Sequence, residues 1–285
     1  MGCVVEVTRF DQNECHRTLA QGCAIVFRGL LKDWPAIERW GADYFQAKCP
    51  QIDVIIKFFD ADGVRFEPAK MYRYLELLNE YKKGEKGGSI PYCHDIPIFL
   101  QAQQLLDDIG DFPLMALPKL YREDWWQFVQ FFMSPAGAVT PLHFDTLRTN
   151  NLFFQIQGSK RFTFIPWEER NACSRRGWRW FEYNPEIQGD NKFVNISNCT
   201  IEVHQGDMLL MPAGMLHHVR TLTDSISFNI DFHTRSSAIA SFKSIKEKMP
   251  RENLYYNGLS LCGLLGLIKR ERFFEKYRPY LNYIS

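Results

Sequence analysis

Apolar and polar positions change rhythm twice along the 285 residues of this chain. In the first part, the compact apolar run Ala24 to Phe27 predicts a strand ended by Gly29. Asp33-Trp34-Pro35 then supplies a helix start with proline early in the first turn, and predicts a helix to about Ala47 carrying Ile37, Trp40 and Phe45. Val54 to Phe59 predicts a strand closed by the turn Asp60-Ala61-Asp62-Gly63. Met71, Tyr74, Leu75, Leu78 and Tyr81 recur at steps of three and four, the spacing of an amphipathic helix over 71–83, and Gly84 to Gly88 breaks it. A strand at Ile90 to Cys93, a polar helix around Ile98 to Ile109 and an aromatic strand at Asp124 to Met133 (DWWQFVQFFM) complete this part.

From Val139 the pattern shortens to strands of four to eight residues between Gly, Asn, Asp and Pro: Leu152 to Gln157, Arg161 to Ile165, Thr200 to Val203, Met208 to Met211 and Ser225 to Phe232. Such a density of short strands predicts a sandwich or barrel rather than βαβ units. Between them, Asn171 to Ser197 has little periodicity, yet its Trp178, Trp180, Phe181 and Tyr183 count against disorder. With Arg175, Arg176 and Arg179 beside them, these aromatics either contact substrate or fold back over the barrel. Trp125, Trp126, Phe128, Phe131 and Phe132 read as core packing, with the lining of a substrate pocket as the alternative. Beyond Ser236 the spacing is helical again. No linker interrupts the chain, so residues 1–285 read as one domain with a β core over about 125–233 and a helical region over about 236–285.

Composition narrows the function classes. Hydrophobic residues make up 46% of the chain, enough for a substantial core, and 34 Lys plus Arg against 33 Asp plus Glu leave no basic field to hold nucleic acid. The eight cysteines form no C-x-x-C pair and no secretory leader precedes them, so they read as reduced thiols of a cytoplasmic protein without a zinc ribbon. No membrane association is expected. The longest apolar run, Gly258 to Ile268, is too short for a bilayer, which takes about 20 residues, and reads as a buried helix or an oligomer face. Met1-Gly2-Cys3 is followed by Glu6 where a myristoylation signal prefers Ser or Thr.

Candidate chemistry sits at the start of the strand-rich part. His143 and Asp145 stand two residues apart in TPLHFDTLRTNNLFFQIQGSK, on what reads as a strand that points both to one side. GDMLLMPAGMLHH, from Gly206, carries the chain through another apolar strand and a Pro-Gly bend to His217. Two imidazoles and a carboxylate on a β-scaffold form the ligand set of a non-haem Fe(II) site with open positions. His-x-Asp alone is a weak signal; the matching second half raises it. His16, His94, His204 and His233 fit no such pattern and read as structural or exposed.

These stretches, with FRGLLKDWPAIERWGADYF, NLFFQIQGSKRFTFIP and SISFNIDF, resemble the JmjC or cupin-like family of Fe(II)- and 2-oxoglutarate-dependent oxygenases, in particular its small hydroxylase branch, that of the asparaginyl hydroxylase factor inhibiting hypoxia-inducible factor. The resemblance implies a double-stranded β-helix (jelly-roll) core, mainly β with an N-terminal α/β elaboration and C-terminal helices. It implies His143, Asp145 and His217 as iron ligands and Lys160 as partner of the distal carboxylate of 2-oxoglutarate. Thr140, Asn151 and Asn229 take its neutral hydrogen-bonding positions, and Tyr92 that of a tyrosine touching the same carboxylate. Two extra residues in Thr146 to Asn150 leave Asn150 and Asn151 as alternatives for one position, and place Arg148 near the mouth, in solvent or against a substrate anion.

The resulting expectation is an enzyme that consumes O2 and 2-oxoglutarate to hydroxylate an unactivated C–H bond on a protein or peptide side chain. The same site would also serve a small molecule, a modified tRNA base or N-demethylation. A metal-binding cupin without catalysis is the reading from another class, and it gives Lys160 and Asn229 no work. The tail from Ala240 to Tyr283 is apolar enough to pair with a second copy or to pack internally.

Overall fold

The computed structural model describes residues 4–60, 63–84, 89–187, 192–193 and 195–281. In chain order the strands are β1 Val4–Val7, β2 Ala24–Phe27, β3 Asp53–Asp60, β4 Gly63–Lys70, β5 Tyr92–Ile96, β6 Val129–Ser134, β7 Val139–His143 and β8 Asn150–Gln157. They continue as β9 Ser159–Ile165, β10 Arg175–Arg176, β11 Trp180–Phe181, β12 Cys199–His204, β13 Met208–Met211, β14 Leu216–Thr221 and β15 Ser225–Phe232. One sheet runs β1-β2-β13-β8-β15-β6-β5-β3-β4 and the other β10-β11-β7-β14-β9-β12. Apart from the parallel pair β1 and β2, neighbouring strands are antiparallel, so the molecule is mainly β with flanking helices, as expected.

Alternation along the central strands decides which side holds the core and which the site. In β8 and β15 the apolar residues Leu152, Phe154, Ile156, Ile226, Phe228, Ile230 and Phe232 join the main hydrophobic cluster, where the Phe154 and Phe228 rings stack at 4.6 Å beneath Trp34. Their polar alternates Asn151, Asn229 and Asp231 face the other way, toward the second sheet. A smaller cluster of Val26, Phe153, Phe162, Phe164, Leu209 and Met211 fills part of that interior.

Several elements differ from the sequence expectation for local reasons. The helix expected from Pro35 to Ala47 is two, Pro35–Arg39 and Ala42–Lys48, because Trp40 is extended and its buried indole donates to Asp108 at 3.0 Å. The aromatic stretch is a 3-10 turn at Trp125–Phe128 before β6 begins, and Phe99, Phe112 and Phe228 surround Trp125. The polar helix shrinks to Ile98–Gln101 and a 3-10 stretch Gln103–Asp108, broken at the non-helical Ala102. β4 and β14 were not anticipated, since charged residues in the first and two histidines with an arginine in the second mask their apolar alternation. Within the segment 171–197, β10 and β11 join the second sheet, and the latter pairs with β7 at His143.

After β15 come the helix Arg235–Ser241, capped by Thr234, a 3-10 stretch Phe242–Glu247, and the helices Arg251–Leu264 and Arg270–Leu281. The apolar run 258–268 straddles a helix end, with Leu259 and Gly263 buried and Leu265 and Leu267 exposed. Among the described residues no helix is long and apolar enough to cross a membrane. Cys15, Cys49, Cys93, Cys173 and Cys262 are free thiols; Cys199 is disulfide-bonded, against the expectation of eight reduced thiols, because bonds set by tertiary proximity leave no trace in spacing. The Met1-Gly2-Cys3 signal lies outside the described residues.

Candidate metal centre and co-substrate pocket

Adjacent strands of the second sheet bring His143 and His217 side by side. His143 ends β7 and pairs in register with His217 of β14, with ring centroids 4.2 Å apart. Each imidazole is fixed by the same local contact: Nδ1 lies 2.8 Å from the Pro141 carbonyl in His143 and 2.9 Å from the Met215 carbonyl in His217. A carbonyl only accepts, so Nδ1 carries the proton and the Nε2 lone pairs are left to a metal. Burial, then the neighbouring His217, holds His143 well below the usual imidazole range and so neutral, the state a ligand needs.

Asp145 arrives differently. It lies two residues past the end of β7, in a turn where Arg148 N–H donates to the Asp145 carbonyl at 2.7 Å, and so is not on the strand that sequence spacing suggested. Its Oδ1 is nonetheless 4.0 Å from His143 Nε2 and 3.8 Å from His217 Nε2. One ligand atom from each of the three lies within 4.8 Å of the others, close enough for a single ion.

Lys160 enters the cavity from β9, after a turn that admits only glycine: a Cβ on Gly158 would meet the Asp224 carbonyl at 1.9 Å, and its φ is +72°. The ammonium is 1% exposed, donates to Tyr92 Oη at 2.8 Å and lies within 5.7 Å of the rings of Tyr92, Phe132 and Phe153. Burial pushes its pKa down to about 7, and no carboxylate among the described residues forms a salt bridge with it. Burial also raises the Tyr92 phenol, opposed by a hydrogen bond with Thr140. A buried cation without an internal counter-charge fits the terminal carboxylate of a small diacid.

The cavity that joins these groups has about 720 Å³ of empty space including its open side, and Tyr92, Thr140, His143, Asp145, Asn151, Lys160, His217 and Asn229 all line it. Every candidate from the sequence is therefore brought to one place. Asn150 turns away, donating to the Phe232 carbonyl and Ser237 and accepting from Ala213 N–H, whereas Asn151 faces the cavity. Arg148 stands neither at the mouth nor in solvent: it lies over the Trp167 ring at 4.0 Å, bonds Ser244 and approaches Glu247 at 3.6 Å.

Sequence reasoning missed part of the wall. Asp231 is 6% exposed and accepts from the amides of Asn151 at 2.8 Å and Asn229 at 3.1 Å. Burial, reinforced by the charge of Asp145, raises its pKa well above the usual carboxylate range. The signal was present as alternation in β15, where Ser225, Ser227, Asn229 and Asp231 share one face of an otherwise apolar strand. His94 also lines the cavity rather than standing apart, its Nδ1 2.9 Å from Asp95 Oδ2 and its pKa lowered to about 4 chiefly by burial. Arg179, over the Trp180 ring at 4.4 Å, and Tyr280, from the last helix, complete the wall.

Comparison with known proteins gives the family of this chain. The cupin-like domain pattern matches residues 12–238, from the helix Gln12–Ala20 into the helix Arg235–Ser241 that follows β15. The chain belongs to the cupin-like domain family. Within that family it is 24% identical over 220 residues to lysine-specific demethylase 8 of Xenopus tropicalis, covering 73% of this chain and 47% of the relative. It is 25% identical over 245 residues to the human bifunctional peptidase and (3S)-lysyl hydroxylase JMJD7, covering 72% and 75%. To the 2-oxoglutarate and iron-dependent oxygenase JMJD4 of Mus musculus it is 25% identical over 172 residues, covering 55% and 40%. The chain spans about half the length of most of these relatives. The expected JmjC and cupin-like kinship thus holds, and the cupin-like core contains a three-residue group able to hold iron. Tyr280 lies outside the matched residues.

Proposed function

We propose that this cupin-like chain is an Fe(II)- and 2-oxoglutarate-dependent hydroxylase acting on a side chain of a protein or peptide. The observation that carries the reading is the conjunction, in one cavity, of the His143, Asp145 and His217 group with the buried, carboxylate-free ammonium of Lys160. A cupin that only bound metal would have no use for that cation, whose burial is costly.

His143, Asp145 and His217 would hold the metal, and Lys160 with Tyr92 and Thr140 would hold the distal carboxylate of the co-substrate. When bound, Fe(II) and 2-oxoglutarate supply the oxidising chemistry: 2-oxoglutarate is decarboxylated to succinate and CO2 while one atom of O2 enters the C–H bond. The chain's own contribution is positional. The backbone carbonyls of Pro141 and Met215 accept from Nδ1 of the two imidazoles and so aim both Nε2 atoms inward. Phe132, Phe153 and Phe162 keep water from the co-substrate side of the cavity. Asp95, Arg179 and Tyr280 complete the lining and would be within reach of a bound substrate.

Relatives named for lysine and arginine chemistry make peptides with basic residues the first substrates to try. The test is incubation with a peptide library, Fe(II), 2-oxoglutarate and O2. Succinate release with the gain of one oxygen atom by a peptide supports the reading, whereas turnover confined to small molecules or a loss of methyl groups replaces it with those alternatives. The proposal includes a cytoplasmic setting and a dimer through the C-terminal helices, where Leu254, Tyr255, Leu265 and Leu267 are exposed; light scattering at a single-chain mass would remove the dimer.

A further inference from the structure

The sheet fixes His143 and His217 but does not fix Asp145, which stands beyond the end of β7. Side chains hold it instead. The Asn151 amide donates to Asp145 Oδ2 at 3.4 Å and to Asp231 Oδ1 at 2.8 Å, so its nitrogen lies between the two carboxyl groups. Asp231 takes a second amide, that of Asn229, at 3.1 Å on the same oxygen. All three supports sit on rigid elements: Asp231 and Asn151 are register partners across β15 and β8, and Asn229 shares the face of β15 with Asp231. The amide oxygens of Asn151 and Asn229 are buried without a hydrogen-bond partner, so it is the nitrogens, turned to Asp231, that hold these two side chains in place.

Asp145 thus offers two different oxygens. Oδ1 is directed toward the Nε2 atoms of both histidines, and Oδ2 is occupied by the Asn151 amide. We propose that Asp231 is a positioning residue for the metal centre: acting through Asn151, it orients the Asp145 carboxylate so that only Oδ1 is presented to the ion. This rests on the reading of His143, Asp145 and His217 as metal ligands. It gives Asn151 a role different from the co-substrate contact implied by resemblance, and it explains why a costly buried carboxyl is retained on an apolar strand.

The experiment is a Co(II) titration of the full chain, following affinity and the visible absorption of the bound ion, with no co-substrate or turnover required. Asp231→Ala and Asn151→Ala should each weaken Co(II) binding by roughly 10–100-fold, the usual effect of removing a group that orients a ligand. The double variant should be no weaker than Asn151→Ala, because both act along one path. The absorption of the Asp231→Ala complex should also change shape, which mere loss of stability would not produce. Should Asp231→Ala fail to fold, Asp231→Asn and Asn151→Ala are judged on the same readouts. His143→Ala is the control. If it abolishes Co(II) binding while Asp231→Ala and Asp231→Asn bind with wild-type affinity and spectrum, or if the losses in the double variant add, the positioning role is wrong and the metal reading stands. If His143→Ala binds like wild type, the metal reading falls and the proposal with it.

Discussion

Two lysines are buried to the same degree and held in opposite ways. Lys57 on β3 and Lys160 on β9 are each 1% exposed. Lys57 Nζ lies 2.6 Å from Asp95, whose carboxyl is kept well below the usual range by His94 and Lys57 although burial opposes this. Lys160 has a phenol and three aromatic rings, and no carboxylate among the described residues. A buried ammonium with an internal counter-charge is part of the framework. One without it is built to receive an anion from outside, and Lys160 lies in the same cavity as the candidate metal ligands.

The contrast sharpens into expectations of decreasing size. Lys57→Met should destabilise the chain by about 3 kcal/mol, because it leaves the largely enclosed Asp95 carboxylate with only His94 beside it, as read from the urea midpoint. A neutral effect there would show that the pair is no framework element. Lys160→Met removes a cation that has no counter-charge, so the chain alone should be at least as stable as wild type, while 2-oxoglutarate binding should weaken by about 2–5 kcal/mol in calorimetry with metal affinity unchanged. Equal losses of stability in the two variants would erase the distinction.

The same lysine also sets a pH dependence. Burial lowers Lys160 from the ordinary 10.5 to about 7 in the folded chain, so between these values the unfolded state binds more protons and stability rises with pH. Below about 7 both states are protonated and the full cost of the buried charge is present. Denaturation midpoints of the ligand-free wild type should therefore climb from pH 7 upward more steeply than those of Lys160→Met. Parallel curves would contradict the depressed value.

Strand pattern and motif made much of this readable beforehand. Apolar runs located β2, β13 and β15 to the residue, and the resemblance brought eight side chains to one cavity. What escaped the sequence depends on tertiary partners. Trp40 breaks a helix because Asp108, distant in sequence, receives its indole. β14 reads as polar until its two histidines are seen to be enclosed by two neighbouring strands. Asp145 follows a strand-like spacing but leaves the strand, and the group that restrains it, Asp231, lies 86 residues away, where only alternation in β15 marked it. Arg148 looked like a mouth residue because nothing local announces Trp167 and Ser244.

An anaerobic titration of the Fe(II)-loaded chain with 2-oxoglutarate, followed in the visible, bears most directly on the pairing of the His143, Asp145 and His217 group with Lys160. A metal-to-ligand charge-transfer band should grow with 2-oxoglutarate in the wild type, vanish in His143→Ala, and require much higher 2-oxoglutarate in Lys160→Met at unchanged iron content. A folded, iron-loaded wild-type chain that shows no band at saturating 2-oxoglutarate would contradict it.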